Sequence, residues 1–512
     1  MSDRTTNTVR NIFVGFIYRF IHILMPFVIR TMIINVLGKE YLGLNTLFTS
    51  IFTFLNLAEF GFTNALTFKM YKPAKEKDFE ALSVYASVIR RVYLVVGLVI
   101  LGAGTAVMPM LPHFINGECP SDVNIYILYF IYLMNTVIPY LGCGYCTSVF
   151  AAFQRIDLTN IINAVVTLAL NLFQIAVLLI TASYYQYIIC LPVFTLFNNL
   201  FLIATKKRFY PEIMTNRKVS KDIIRETFVS ASALFGHSLN YVVVSAADNV
   251  VISSFLGLAA LALYGNYYTI LSAVLGLIDI VIQSCTPSIG NLLLERNPIH
   301  TKSIFKTVSF LTHWITGWCS ICLICLYQPF MRLWMGENML LPSSTVILFS
   351  MYLYSYKARA AVIVFKDAAG MWKADWLKPY VSALANLIIN ILLVKLIGIN
   401  GVLLSTIAVF CFINFPWESK ALLKRILPDY INKYYVDFLK YCILNIAAAS
   451  LTYVLCNIRQ FESDYVTFFI RIVICLIFPN ILYILFYHKN KEYAYLKDKI
   501  KKGFAVLIRR GR

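Results

Sequence analysis

The 512-residue chain is predicted to be an all-α, polytopic membrane protein with about 14 transmembrane helices, and three observations carry that prediction. Apolar residues make up 59% of the chain and charged residues only 14%, too few to cover a water-soluble surface. The apolar residues gather into runs of about twenty, the length a helix needs to cross the hydrocarbon layer. Lysine and arginine cluster in alternate connections between those runs, as expected of a chain threaded repeatedly through a bilayer.

In chain order the spans are expected near 11–36, 43–68, 91–111, 123–148, 159–181, 184–205, 228–255, 260–290, 304–328, 343–367, 379–397, 400–418, 439–458 and 465–487. The first run contains two arginines and lacks a small-residue cleavage site, so it is expected to remain as an anchor. About 38 of the 45 Lys and Arg lie in or beside connections that share a side with both termini, against about four on the other side. Both termini are therefore expected to be cytoplasmic. The inside segments are Lys69 to Arg91, Lys206 to Arg225, Arg296 to Lys306, Lys357 to Lys378, Lys420 to Lys440 and the tail from Lys489. On this reading the net charge of +20 is topological bias plus attraction to anionic membrane lipids, and no nucleic-acid partner is expected. Outside connections are short, the longest near Pro109 to Asp122 and Pro329 to Pro342. In the tail, Leu496, Ile500, Phe504 and Leu507 recur at helical spacing among lysines, the pattern of an interfacial helix.

Little in the sequence suggests catalysis. Of twelve cysteines only Cys119 lies clearly outside, so no disulfide framework is expected. Cys319, Cys322 and Cys325, and Cys143 with Cys146, superficially resemble metal ligands, but they fall in apolar helices without clustered partners. No metal or other cofactor is expected. The six histidines are dispersed, and no nucleophile elbow, phosphate-cradling glycine loop or paired loop carboxylates occur. A transporter is expected rather than an enzyme.

Candidate site residues emerge from polar groups inside spans. Arg19, His22 and Arg30 stand at i, i+3 and i+11, one side of a helix, where ionisable groups usually line a protein interior or a water-filled cavity. Shifting the chain by 218 to 220 residues reveals an internal repeat. Val36 to Gly38 matches Phe255 to Gly257, Leu55, Leu57 and Glu59 match Leu275, Leu277 and Asp279, and Gln154 to Asp157 matches Lys373 to Asp375. The same offset carries Arg19, His22 and Arg30 onto His237, Asn240 and Asp248. Two pseudo-symmetric six-helix bundles, 1–206 and 228–418, are therefore expected, joined by a cytoplasmic linker at 207–227 and followed by two helices in 419–488 and a basic tail at 489–512. Prolines 26, 139, 192, 287 and 416 lie within the predicted spans and are candidate kinks.

The stretch Leu37 to Pro73, with LGKEYLGLN at 37–45, LAEFGFTNA at 57–65 and YKP at 71–73, resembles the Wzx-type polysaccharide repeat-unit flippases of the multidrug/oligosaccharidyl-lipid/polysaccharide exporter superfamily. Gln328 to Phe330, Leu333 to Gly336, and Asn386 to Thr406 with Gly398 to Val402 extend the similarity along the chain. The resemblance implies two bundles alternating between inward and outward openings, with an undecaprenyl-diphosphate-linked oligosaccharide as cargo. It also implies polysaccharide polymerase and chain-length machinery as partners. Arg19 and Arg30 are then candidates to pair with the diphosphate, and His22, His237 and Asn240 to hydrogen-bond phosphate or sugar. Glu59, Asp248 and Asp279 would either neutralise the arginines in an empty cavity or bind a coupling proton or sodium ion. The competing readings are a multidrug or organic-cation antiporter of the same superfamily and, in a different class, a membrane glycan polymerase or ligase.

Overall fold

A computed structural model describes residues 3–56, 62–117, 119–217, 221–459 and 462–510, with side chains undescribed at 3–9, 12, 62–65, 221–245, 372–373, 500 and 503–510. Among the described residues there are helices and no strands, as expected where bilayer helices must satisfy every backbone group internally. The chain divides into two compact units, Met1–Gly265 and Asn266–Arg512.

The first unit contains α1 (Asp3–Val36), α2 (Lys39–Leu55), α3 (Phe62–Glu76), α4 (Phe79–Val107), α5 (Ile125–Gly142), α6 (Gly144–Ala152), α7 (Ile156–Thr181), α8 (Tyr184–Phe209) and the first part of α9 (Lys221–Gln283). Side-chain caps fix several starts. Asp78 accepts from the Ala81 amide at 2.9 Å ahead of α4, and Asn124 accepts from Tyr126 at 3.0 Å ahead of α5. Phe48 and Phe52 of α2 pack with Tyr129 and Tyr132 of α5 at ring distances of 4.8–6.4 Å, forming an aromatic core. Exposed apolar side chains such as Leu179 and Ile180 of α7 form part of the surface offered to lipid.

The boundary between the two units falls after Gly265, and the described end of the seventh span is stitched into the first unit. Asn249 donates to Ser50 at 2.8 Å, Ser253 to the Phe114 carbonyl at 2.6 Å, and Asn116 to the Phe255 carbonyl at 2.6 Å. Gly257, at φ 88°, makes the turn between the seventh and eighth spans, and a Cβ there would lie 2.7 Å from the Asn116 carbonyl oxygen. Gly43 of α2 allows a closer approach still, since any Cβ would collide with the Leu258 backbone.

The second unit contains α10 (Thr286–Leu294), α11 (Pro298–Met335), α12 (Ser343–Lys357), α13 (Ala360–Ala368), α14 (Lys378–Ile397), α15 (Ile399–Val409), α16 (Phe415–Ile426), α17 (Ile431–Asn457), α18 (Asp464–Tyr487) and α19 (Lys491–Arg510). Asn297 caps α11, with Pro298 in its first turn where the missing donor is harmless. The last two spans, α17 and α18, pack on α11, where Trp314 donates to Asn480 and Trp318 to the Cys475 carbonyl, each at 2.8 Å. Between α14 and α15, Asn386, Asn390, Ser405 and Thr406 form a buried polar seam, with Asn386 donating to Thr406 at 3.0 Å.

Eleven described helices are long and apolar enough to cross a membrane. The expected number near fourteen differs at three places. The second span contributes only the 17-residue α2 before residues outside the description, the seventh and eighth merge in α9, and the tenth is divided into α12 and α13 around Ala358 and Arg359. Pro26 lies inside an unbroken α1, whereas at Pro287 the helix is interrupted at Ser284 and Cys285 and resumes as α10 with the proline in its first turn.

Candidate functional site

In the first unit, α1 is anchored to α7 by a buried acid. Asp157, 1% exposed, pairs with Arg10 at 2.7 Å and Arg155 at 3.0 Å, while Asn11 accepts from its amide at 2.9 Å. Beyond this clamp α1 is continuous, so Arg19, His22 and Arg30 keep the helical spacing that puts them on one side. Arg19 and His22 are exposed, and the His22 ring meets Tyr18 edge-on at 5.5 Å. Arg30 is half-buried. A Cβ on Gly265 would lie 2.5 Å from Arg30 Nη2 and 3.5 Å from Thr46 Cγ2, so the guanidinium rests on the bare backbone of α9 beside α2. The Tyr187 hydroxyl of α8 also lies within electrostatic range of Arg30. Asp248 is buried in α9. Glu59 lies outside the described residues, as do the side chains of His237 and Asn240.

In the second unit, Asp279 accepts a hydrogen bond from Lys357 at 2.5 Å, and that lysine also lies 4.6 Å from the Tyr356 ring centre. Next along the chain is a buried ionic cluster. Arg359 pairs with Glu418 at 2.5 Å, Lys366 with Asp375 at 2.6 Å, and Lys378 with both Glu418 and, at 3.4 Å, Asp375. Every member is 4% exposed or less. Of the basic residues in the Lys357 to Lys378 segment, Lys357, Arg359, Lys366 and Lys378 are all enclosed by protein instead of lying open to anionic lipid. The flanks of apolar runs hid the cluster: lysines at span ends look the same in sequence whether they meet lipid or a distant acid.

Two further features were not anticipated. Cys325, Cys456 and Cys475 bring their sulfurs within 4.8 Å of one another, correcting the expectation that the Cys325 triplet lacks clustered partners. Three thiols at this separation have the spacing to hold a soft cation, and as thiols they pack as small apolar groups. Cys143, from the other spaced pair, donates to Asn199 at 3.0 Å. Arg471 stands inside α18, carrying the same signal that singled out Arg19 and Arg30, but in a helix outside the internal repeat.

With this geometry in view, comparisons with known proteins assign the family. The profile described as "Polysaccharide biosynthesis protein" matches residues 8–293. No curated protein matches the chain. Among solved structures, the lipid II flippase MurJ in an inward closed conformation superposes with a TM-score of 0.69 at 16% identity, covering 93% of this chain and 99% of that one. A multidrug resistance MATE family transporter of the MOP superfamily, inward-facing, gives 0.60 at 12% identity over 80% of this chain and 94% of its own. A MOP superfamily transporter from Pyrococcus furiosus, described as having a binding pocket of reversed polarity, gives 0.57 at 11% identity over 83% and 96%. These neighbours are flippases and transporters rather than enzymes, and at such identities they establish the fold. The chain is a multi-pass membrane protein with this transporter fold, and it belongs to the polysaccharide biosynthesis protein family.

Proposed function

We propose that the chain is a flippase that carries undecaprenyl-diphosphate-linked oligosaccharide repeat units across the bacterial cytoplasmic membrane for cell-surface polysaccharide synthesis, by alternating access. The observation that carries this reading is Arg30: a guanidinium held on bare backbone inside the helices of a polysaccharide biosynthesis family member. A lipid-linked sugar diphosphate brings anionic oxygens into the bilayer, where an arginine fork binds them bidentately while the lipid tail stays in hydrocarbon. Arg19 and His22, exposed on the same side of α1, extend the basic surface. His237 and Asn240 are assigned to the same cargo through the repeat. Glu59, Asp248 and Asp279 are assigned to charge balance or to binding a coupling proton or sodium ion, and Lys357 is the base that holds Asp279 in the state described here. Polymerase and chain-length proteins are the proposed partners, and both termini are proposed to be cytoplasmic.

A multidrug antiporter is the second reading, favoured by the MATE neighbours; an arginine-bearing polar face suits cationic cargo poorly. Reconstitution with a fluorescent undecaprenyl-diphosphate oligosaccharide distinguishes them. Transbilayer movement should fall about tenfold or more in Arg30→Ala and also fall in Glu59→Gln. Equal movement in all three proteins would remove the site assignment, and efflux of cationic dyes without glycolipid movement would favour the antiporter.

A further inference from the structure

Arg471 is placed unlike the other arginines of the second unit. It sits seven residues into α18, about 10 Å along the helix from Asp464. Its Nη2 donates to Asn457 at 2.9 Å and its Nη1 makes a long bond of 3.4 Å to the Cys325 carbonyl, while its buried Nε has no acceptor. No carboxylate forms an ion pair with it among the described residues. A guanidinium at membrane depth with neither a counter-charge nor an acceptor for every donor is an incomplete site.

The surroundings say what is missing. Arg471 lines a cavity of about 460 Å³ bordered by α11, α12, α17 and α18, within the ~300–1,000 Å³ range of small-ligand sites. Arg332 stands at the same cavity, but Glu337 at 2.8 Å and Asp464 at 3.5 Å already neutralise it. Asp464 also lines the cavity, and its pairing with Arg332 leaves Arg471 as the lining guanidinium with no carboxylate in direct contact among the described residues. Ser343 and Tyr453 add hydroxyl groups to the wall. Ile347 and Tyr453, 48% and 45% exposed, carry the lining out onto the apolar surface that also includes Val454. A ligand here meets a cation inside and an apolar surface at the rim.

We propose that this cavity binds the phosphate headgroup of a membrane lipid, with Arg471 as the charge-bearing contact and the acyl or prenyl chain lying along the apolar surface beside Ile347 and Tyr453. The cavity is lined by Gln328, Pro329 and Leu340 to Ser343, at the connection that the lysine and arginine distribution assigns to the outer face. The lipid is thus drawn from the outer leaflet. Its site lies between α11, α12 and the additional helices α17 and α18, and none of its lining residues is among the α1 residues proposed to hold the cargo.

Native mass spectrometry of the full chain in neutral detergent, titrated with dioctanoyl phosphatidic acid, tests this. Wild type should hold one lipid that Arg471→Gln binds about tenfold more weakly, with partial recovery in Arg471→Lys. Ser343→Trp, an exposed substitution that fills the mouth and leaves the arginine in place, should weaken binding to a similar extent. Millimolar inorganic phosphate should compete poorly, because it gains nothing from the apolar rim. Equal lipid binding by wild type, Arg471→Gln and Ser343→Trp would overturn the proposal, and full displacement by inorganic phosphate would replace the lipid with a soluble anion. Because the readout is binding in detergent, it is independent of whether glycolipid is flipped.

Discussion

Asp157 in the first unit and Asp375 in the second occupy corresponding repeat positions, and each is 1% exposed and bridges two bases. Their surroundings differ. Asp157 is held by Arg10 and Arg155, whose side chains remain 37% and 22% exposed, so water shares the surplus positive charge. Around Asp375 no member reaches water, and a second acid, Glu418, joins the cluster. Three bases and two acids still leave one positive charge over. Arg359 lies 5.3 Å from the Tyr356 ring centre and 5.2 Å from that of Phe410, so aromatic faces take up part of the excess. The same junction was thus built as a hydrated clamp in one unit and a dry lattice in the other. A charge's depth, more than its partner count, decides what its loss costs.

The largest expected effect follows at Glu418. Replacing it by Gln leaves Arg359 and Lys378 buried against a neutral amide, and breaking a buried pair in this way costs roughly 3–5 kcal/mol. Unfolding of the purified chain in mixed dodecyl maltoside and SDS micelles should show a loss of that order. Asp375→Asn should lose less, because Lys378 retains Glu418, although Lys366 does not.

Asp157→Asn should lose less again, about 1 kcal/mol, since Arg10 and Arg155 can turn to solvent. A loss matching that of Glu418→Gln would break the comparison, because it would mean that the partial exposure of Arg10 and Arg155 gives no relief. The amide retains an acceptor for one arginine, so Asp157→Leu should be the more damaging of the two substitutions in the same measurement.

How far the sequence reveals these features depends on whether their signal is local. Apolar run length and the lysine and arginine bias are local, so the all-helical membrane fold was legible, while the exact spans blurred where Gly257 makes a turn inside continuous helix and Arg359 interrupts α12 and α13. The repeat offset did align Asp157 with Asp375, yet no spacing rule connects Asp375 to Lys366 on one side and, through Lys378, to Glu418 forty residues further on. The Cys325, Cys456 and Cys475 cluster is hidden for the same reason, being assembled from three helices. Arg471 is the opposite case. Its signal was local and visible, but it has no counterpart in the repeat, which had directed attention to the first helix of each half.

The smallest expected change in stability lies where the largest change in transport should appear. At Gly265 a Cβ would come within 2.5 Å of Arg30 Nη2, the far end of a flexible side chain, so Gly265→Ala can be accommodated by moving the guanidinium instead of the backbone. Alanine also favours helix over glycine by about 1 kcal/mol, which offsets the crowding. Unfolding in mixed micelles should therefore change by less than about 1 kcal/mol. Transbilayer movement of the labelled glycolipid should nevertheless fall, because the arginine fork is pushed off the backbone that positions it. Arg30→Ala and the double variant should then be equally impaired, since displacing an absent guanidinium adds nothing. If Gly265→Ala moves the glycolipid at the wild-type rate, the resting place of Arg30 on α9 is a packing detail and the cargo contact lies elsewhere on α1.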